Sequence, residues 1–539
     1  MHLFCRRNYN GSVRFSAQRI ATSTLLLLCA LALCLSAHAQ TEETVGGRVV
    51  LVLPFENRSG QSSLDWVGEA FSETLSRRFE SAGFYPIDRD DREYALEHLG
   101  LPGGFRPSHA TAIQIAQTLD AEFVIVGSYT TNGDRMTAQA QVLRVNQLRM
   151  SQPIEDSAPL QRLLDLENSL AWKCAKQMDP KFSVALSTFL AASKDVKLEA
   201  YENYIRAIAS PNEDEKLKRL EASAALSPDT ATLLALGKTQ YRARQYEDAA
   251  KTLARVPKNT PSALEANFYL GLADFNSAHY AEAEQAFAFV ASRFPLPEVV
   301  NNQGVAMARQ KKDATVLLQR ASNADPQDAD YHFNVATALW RRGDVANARI
   351  EIDKALKIRP NDTEAQELKT SLAPASHAAP GFSPLERLRR TYSESNVRQA
   401  VFQMDQMRMM KMSMLPPSER ATQIAQAGQD YLREGMIPEA EREFQAAIHA
   451  DGTNASAHLG LALVRERTGN ANEARHEAQI SNEMRQSAAA YLVLARLDMQ
   501  QNKLKDSATN VAHALRLEPR NSTALAMKQA LTTRGQSVP

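Results

Sequence analysis

Cysteine is scarce in this sequence, which has four in 539 residues. Three of them, Cys5, Cys29 and Cys34, lie near the N-terminus. Cys174 therefore has no partner for a disulfide within the rest of the chain, whose stability must come from packing. We expect Cys174 to be a buried thiol. The formal net charge is zero, so the sequence lacks the basic surplus that nucleic-acid binding needs.

Sequence motifs that carry catalysis are also missing. The chain has no Gly-x-Gly-x-x-Gly, no Walker loop, no His-Glu-x-x-His, no Cys-x-x-Cys and no Gly-x-Ser-x-Gly. We therefore predict a protein that is not an enzyme, with no catalytic residues, no metal site and no cofactor.

The N-terminal segment 1–39 resembles a secretory signal. Four arginines precede an apolar run over 21–35, and Ala37-His38-Ala39 is a small-x-small cleavage site. The run is shorter than the roughly 20 apolar residues that a membrane span needs. We predict that 1–39 is a cleaved signal peptide and that the protein is periplasmic or secreted. The alternative is an uncleaved segment that anchors the protein in a membrane.

A small mixed α/β domain is predicted over residues 47–155. The pattern reads strand, helix, strand, helix, strand, strand, with Asn132-Gly133 as a hairpin turn before the last strand. The strands are expected at 48–53, 84–87, 122–130 and 137–145, and the main helices at 64–82, 90–99 and 108–119.

This domain resembles the N-terminal domain of TolB and the envelope lipoprotein domains of the curli-secretion and flagellar-accessory kind. The residues that carry the resemblance form two groups: Pro54, Phe55, Glu56, Asn57, Ser59 and Gly60 after the first strand, and Ala121, Val124, Gly127 and Ser128 at the third. The resemblance implies a module for protein contacts in the envelope, without catalysis. No blade-like strands of a β-propeller follow it.

A regular repeat dominates the chain after position 230. Gly237, Gly271 and Gly304 follow one another at nearly equal spacing, and the pair Ala249 and Ala283 keeps the same spacing. A repeat of this length predicts stacked helix pairs, in which small residues allow close approach of the helices. The pattern resembles the tetratricopeptide repeat (TPR), a helix–turn–helix unit of about 34 residues.

The predicted fold is therefore an α-helical solenoid of TPR units in two arrays, preceded by the small mixed α/β domain. We place a helical connector at 156–196, the first array at 197–372, a Pro/Met-rich linker helix at 373–420 and the second array at 421–533. Within the linker, 385–415 has helix-like spacing and is rich in methionine. Packing is the favoured explanation of its methionines, with a partner-binding helix and a soft-metal site as alternatives.

The resemblance to TPR proteins implies that the first helix of each unit lines a partner-binding groove. Aromatic and arginine side chains at the lining positions suit an extended or helical peptide. The alternative is that the arginines are solvated at helix ends and that the aromatics belong to the core. The predicted groove residues are Arg242, Phe268, Leu272, Phe275, Arg309, Phe333, Trp340, Arg341, Arg433 and Arg467.

Three functions are consistent with these patterns. The favoured one is an exported non-enzymatic scaffold that binds proteins or peptides through the concave surfaces of its TPR arrays in the cell envelope, with peripheral association with envelope complexes. The second is an accessory subunit of an envelope enzyme or of an export or polysaccharide-secretion machine. The third is a small-ligand sensor in the N-terminal domain. None of the three involves nucleic acid.

Overall fold

The computed structural model describes residues 48–101, 108–191, 196–260, 262–373, 383–391, 407–408 and 410–539. The predicted signal peptide lies outside these residues. Within them, no helix combines the length and the apolar character that crossing a bilayer requires.

The described N-terminal residues form a seven-stranded mixed sheet. The strands are β1 Val49–Val52, β2 Glu56–Asn57, β3 Tyr85–Pro86, β4 Phe123–Asn132, β5 Arg135–Arg144, β6 Arg149–Met150 and β7 Ile154–Pro159. β1 pairs in parallel with β3 and β4, and β2 also runs parallel to β4. β5 pairs antiparallel with β4, β6 and β7. The predicted hairpin is confirmed, since Asn132 pairs with Arg135 and Gly133 has a φ of 63°.

Both faces of this sheet are covered by helices. One face packs against α1 Trp66–Ser81 and α4 Leu163–Met178, and the other against α2 Arg89–His98 and α3 His109–Thr118. The alternation of side chains along a strand explains the split, because Val50 and Val52 enter the first core while Leu51 enters the second. The mixed α/β architecture is as predicted.

The sheet extends further along the chain than the sequence indicates. The sequence pattern predicts a helical connector from residue 156, but β7 pairs with β5 and a 3₁₀ turn follows at Leu160–Arg162 before α4 begins. α4 then packs on α1 and against β5 and β7. It is therefore part of the α/β domain's core. Cys174 lies in this helix and is buried, as predicted.

The helices that follow are arranged in sequential antiparallel pairs. After the short α5 Leu186–Ala191, the first array contains α6 Leu198–Ala209, α7 Glu213–Leu226, α8 Thr230–Arg242, α9 Tyr246–Leu253, α10 Ala263–Asn276, α11 Tyr280–Ala291, α12 Pro297–Arg309, α13 Thr315–Ala324, α14 Ala329–Arg341, α15 Val345–Ile358 and α16 Thr363–Ser371. The second array contains α17 Pro417–Glu434, α18 Ile437–Ala450, α19 Ala455–Arg467, α20 Ala471–Met484, α21 Ala488–Gln500, α22 Leu504–Leu517 and α23 Ser522–Thr533.

The first helix pair is continuous with the α/β domain. Tyr201 and Tyr204 of α6 belong to the same buried cluster as Phe71 and Leu75 of α1. The Tyr201 hydroxyl also donates to the Oε2 atom of Glu167 on α4 at 2.9 Å. The sheet, α1 and the start of the first array thus share one hydrophobic core.

The second array contacts the same N-terminal region through α18. The side chain of Glu441 is fully buried there and accepts from the backbone N–H of Ala185 at 2.8 Å and from the hydroxyl of Thr188. Arg465 of α19 pairs with the same carboxylate at 2.8 Å. One buried acid therefore joins the second array to the residues around α5.

The predicted linker helix is wrong for residues 385–391. Residues 383–391 contain no helix, whereas the described residues 407–408 and 410–413 are helical. The polar groups of the backbone at Arg387 and Arg389 are satisfied by asparagine side chains of the first array. Because these backbone N–H and C=O groups already have side-chain partners, they do not need the hydrogen bonds that a helix would provide.

Candidate functional site

Residues 383–391, called here the bound segment, lie along the first helices of two successive units of the first array. The surface that holds them, called here the groove, is lined by Asn301, Asn302 and Arg309 of α12 and by Asn334 and Arg341 of α14. The groove is therefore built from the helices that the repeat pattern assigns to partner binding.

Asparagine side chains hold the backbone of the bound segment. Asn334 accepts from the N–H of Arg387 at 2.6 Å and donates to its carbonyl at 2.8 Å. Asn302 makes the same pair of bonds with Arg389, each 2.7 Å long. Asn301 adds a bond to the Arg387 carbonyl at 3.0 Å and accepts from Asn334 at 2.7 Å. Because the paired residues are two apart, the groove recognises an extended backbone.

A carboxylate of the bound segment lies between two arginines. The side chain of Glu386 is fully buried, and Arg341 donates to its Oε1 atom. Arg341 also bonds the carbonyl of Pro384 at 2.7 Å. Arg309 donates to the Glu386 carbonyl at 3.1 Å and brings its Nη1 within 3.7 Å of Oε2. Two positive charges thus compensate one buried negative charge.

The next side chain of the segment enters an acidic pocket. The guanidinium of Arg387 bonds Asp362 at 2.5 and 2.8 Å and Asp330 and Glu364 at 2.9 Å. It also lies 3.8 Å from the ring centroid of Phe333. Three carboxylates and one aromatic face therefore surround a single cation, which is the arrangement expected of an arginine-specific site.

The contact between Arg387 and the acidic pocket determines the charge of both partners. Hydrogen bonds from Arg387 hold the pKa of Asp362 below its ordinary value, against the opposing effect of burial. Burial by itself would lower the pKa of Arg387, but its bonds to Asp362, Asp330 and Glu364 raise it overall. Both partners are accordingly charged at neutral pH.

The next two residues of the bound segment, one apolar and one basic, also contact the groove. Leu388 packs against the buried clusters around Phe333 and around Phe268. Arg389 forms ion pairs with Asp328 and Asp330, and its guanidinium lies 5.0 Å from the ring centroid of Tyr331. The order of side chains held by the groove is therefore Glu, Arg, Leu, Arg.

The structure distributes the ten predicted groove residues among four environments. Arg309 and Arg341 contact the bound segment directly, and Phe333 lies under Arg387. Phe275 and Trp340 are partly buried and pack, as Leu388 does, on the cluster that contains Phe333.

Phe268 and Leu272 are fully buried, and they belong to the cluster against which Leu388 of the bound segment packs. A role for them in partner binding stays a prediction. Arg242 lies 3.8 Å from Glu213, and Arg433 bonds Asp430 within its own helix. Arg467 donates to the carbonyl of Leu432. None of these three arginines is placed against the bound segment by the contacts of the described residues, and a role for them in partner binding stays a prediction.

The repeat pattern does not single out the asparagines at 302 and 334 or the acidic pocket. Asp328 and Asp362 are helix N-caps, accepting from the backbone N–H groups of Tyr331 and Ala365, and their residue type is explained by that role alone. A signal was present in Asn302 and Asn334, which are 32 residues apart, as are the predicted groove residues Arg309 and Arg341.

The motif that suggested a TolB-like domain has structural roles in this fold. The ring of Phe55 stacks on Phe71 with centroids 4.5 Å apart, and Gly127 leaves room for it, since a Cβ there would lie 2.4 Å from the ring. Asn57 accepts from the N–H of Ser59 at 2.9 Å and shapes the loop. These contacts explain the motif as packing and loop geometry.

The methionines of the linker fall in different environments. Met412 is buried in the core of the second array's first unit, whereas Met407, Met410 and Met414 are exposed. Met404 and Met409 lie outside the described residues. Within the described part of the chain, no group of three or more His, Cys, Asp or Glu side chains is arranged to hold a metal ion.

Comparison with known families identifies the helical arrays. The tetratricopeptide repeat family model matches residues 234–288, 308–363 and 426–479. The chain is a tetratricopeptide repeat protein. TPR domains bind proteins and peptides and are typically non-enzymatic, so the chain is a protein-binding scaffold. No catalytic domain is identified in it, and its N-terminal domain is not assigned to the TolB family.

Several solved structures show partial likeness to this TPR protein. MamA from Desulfovibrio magneticus RS-1 is 18% identical over 33% of this chain and 99% of its own, with a TM-score of 0.28. YrrB, described as a TPR protein with an unusual peptide-binding site, is 12% identical over 44% and 95%, with a TM-score of 0.26. The LpoB C-terminal domain from Salmonella enterica is 21% identical over 23% and 91%, with a TM-score of 0.19. No curated protein matches the chain. The TPR assignment rests on the matched repeats.

Proposed function

We propose that this protein is an exported, non-enzymatic scaffold whose first TPR array binds an extended peptide of a partner protein in the groove. One observation carries the proposal: the bound segment is held there through its backbone by Asn302 and Asn334. These bonds can be offered to any extended peptide, because every non-proline residue carries the same N–H and C=O groups.

The side-chain contacts of the groove supply selectivity. Arg309 and Arg341 compensate a buried carboxylate, and Asp330 and Asp362 compensate an arginine. A peptide that lacked one of these charges would leave its partner group buried without compensation, which is costly. The groove therefore combines general backbone recognition with a defined order of charges.

The cell envelope is the proposed location. It is supported by the signal-like N-terminus and by the resemblance of residues 47–155 to envelope modules. The role of accessory subunit in an envelope enzyme or export machine is a special case of the same scaffold. Fusion of the full chain to a reporter that folds only after export tests the location, and a fusion that is produced at full length but shows no reporter activity would contradict it.

Peptide binding is tested with a variant whose own bound segment no longer fits the groove. The variant Glu386→Lys/Arg387→Glu reverses two charges of the bound segment without changing the net charge of the chain. A fluorescent peptide with the sequence of residues 383–391 should bind this variant and raise its anisotropy. Adding Asn302→Ala/Asn334→Ala should weaken binding at least about tenfold, since four backbone bonds are lost. A peptide of the same composition in scrambled order is the control.

A further inference from the structure

The bound segment belongs to the same chain as the groove it fills, and it fills every polar contact described for that groove. We propose that residues 383–391 are a built-in competitor that keeps the groove closed, and that the natural partner displaces it with an extended peptide carrying the same order: carboxylate, arginine, apolar residue, arginine. This inference rests on the proposed function and names the chemistry of the partner.

The fit of charges argues for a specific competitor. Glu386 directly precedes a basic stretch, Arg387 to Arg390 apart from Leu388, and it lies where the groove is basic. Arg387 and Arg389 lie where the groove is acidic. The charge of the segment changes sign at the same point as the charge of the groove. A segment without specific binding would not be expected to show this match. The side chain of Glu386 has no exposed surface at all.

Because the bound segment is covalently linked to the groove, it can occupy the groove even if its intrinsic affinity is low. A tethered ligand acts at an effective concentration of about millimolar when its linker spans the sites. A peptide that binds the vacant groove with a Kd of about 10 µM would therefore bind the closed protein about 100-fold more weakly. Partners with poor charge complementarity would be excluded, and a partner with additional contacts elsewhere on the scaffold would succeed.

The exposed residue Leu385 offers a matched control within the segment. Its side chain is about half exposed, whereas that of Glu386 beside it is buried. Leu385→Ser therefore changes the segment without touching the charged contacts. We expect Leu385→Ser to keep the groove closed and Glu386→Lys/Arg387→Glu to open it.

The experiment measures binding of the fluorescent 383–391 peptide to three full-length chains: the natural one, Leu385→Ser and Glu386→Lys/Arg387→Glu. Closure predicts that the charge-reversed chain binds about 100-fold more tightly than the other two. Equal binding by all three would overturn closure and leave the proposed function intact. Absence of binding to the charge-reversed chain, with its helical circular dichroism and unfolding temperature unchanged, would overturn the proposed function itself.

Two further measurements complete the test. Hydrogen exchange should show the amides of Arg387 and Arg389 protected in the natural chain and unprotected after charge reversal, and unprotected amides in the natural chain would contradict closure. Peptides in which the glutamate is replaced by lysine, or the first arginine by glutamate, should bind the charge-reversed chain at least about tenfold more weakly. Unchanged binding would overturn the proposed order of charges.

The segment could instead come from a second copy of the chain. Light scattering during size-exclusion chromatography distinguishes this case. A monomeric natural chain supports closure within one molecule. A dimer that dissociates on charge reversal would overturn it in favour of exchange between copies.

Discussion

The asparagines of the groove show how single side chains define a binding surface. Asn334 makes three hydrogen bonds, two to the backbone of Arg387 and one to Asn301. Its side chain is fully buried, so the bonds are not replaced by water. Replacing Asn334 removes two of the four amide bonds that Asn302 and Asn334 make to the segment's backbone.

We predict that Asn334→Ala frees the bound segment without unfolding the array. Loss of these bonds should lower the protection of the Arg387 amide by about 1–3 kcal/mol in hydrogen exchange. Asn203→Ala is a suitable control, because Asn203 is a helical asparagine that bonds a carbonyl of its own helix at an exposed site. Equal loss of protection in both variants would show that the effect is unspecific.

A second residue-scale prediction concerns Glu167, beneath the first helix pair. Burial raises its pKa to about 8, against the hydrogen bonds that it accepts. The folded protein thus retains a proton that the unfolded chain loses above the ordinary value of 4.5. The free energy of unfolding should therefore fall as pH rises from about 4.5 to about 8 and level off above that.

Comparison of the natural chain with Glu167→Gln isolates this effect. Glutamine has a similar shape and does not titrate, so the variant should lack a slope of up to about 1.4 kcal/mol per pH unit. Urea unfolding at a series of pH values measures it, and Glu483→Gln at an exposed site serves as control. Parallel pH profiles for Glu167→Gln and the natural chain would contradict the prediction.

At this scale the sequence predicts part of the site. Arg309 and Arg341 can be found because a basic residue recurs at one position of the repeat unit. Asp330 and Asp362 escape notice because their type is common at helix starts, and their partner Arg387 is remote in sequence. The pattern does not distinguish an aromatic side chain that lines the groove from one that packs between helices, and Phe268 is fully buried with the bound segment in place.

Helix pairs depend on close contacts between a glycine of one helix and a large side chain of the next. A Cβ on Gly271 would lie 2.8 Å from the ring of Phe287, and Gly237 and Gly304 face Leu253 and Leu318 in the same way. The regular spacing of these three glycines in the sequence therefore reflects one contact that is repeated in three successive units.

We predict that Gly271→Ala destabilises the first array although alanine favours helices. The favourable propensity is about 1 kcal/mol, and overpacking against Phe287 costs about 1–3 kcal/mol. Combination with Phe287→Leu should relieve the clash and give a coupling of at least about 0.5 kcal/mol in thermal unfolding. Gly452→Ala should be nearly neutral, because its Cβ would meet only the Ile448 carbonyl, at 3.9 Å. Additive effects of the two substitutions would argue against this contact.

Elements with a regular pattern were predictable, and the bound segment was not. The repeat period located every helix pair of the two arrays, since it results from packing within each unit. Leu385 and Leu388 have a spacing that also occurs in helices, and no local signal shows that Arg387 bonds elsewhere. β7 was missed for a related reason, because its partner β5 lies on the far side of a turn and a short strand.

The molecule as a whole is joined by a contact between its second array and its N-terminal region. Glu441 is the centre of that contact, and burial raises the pKa of its carboxyl despite its pairing with Arg465. Around it, Gln445 bonds the carbonyl of Ser183 at 3.2 Å and Arg442 donates to the carbonyl of Ser81 at 3.3 Å.

Removal of this acid should separate the two regions. Glu441→Ala removes one of the two acids that pair with Arg465, the other being Glu473, and leaves the Ala185 N–H without its partner. The expected cost is about 1–3 kcal/mol. We expect faster proteolysis around residues 179–191 and an earlier thermal transition of the second array. Glu434→Ala, at an exposed position of the same array, should leave both unchanged. Unchanged protease resistance in Glu441→Ala would show that other contacts are enough to hold the second array against the N-terminal region.

The order of the groove and its segment along the chain has a consequence for synthesis. The last residue that lines the acidic pocket, Glu364, precedes Arg389 by 25 positions. At about 5–20 residues per second, the ribosome adds that stretch within about 1–5 s of completing the groove. The segment therefore leaves the ribosome or the export channel directly behind the groove. Under the proposed closure, a foreign peptide has only this short interval in which to bind an empty groove.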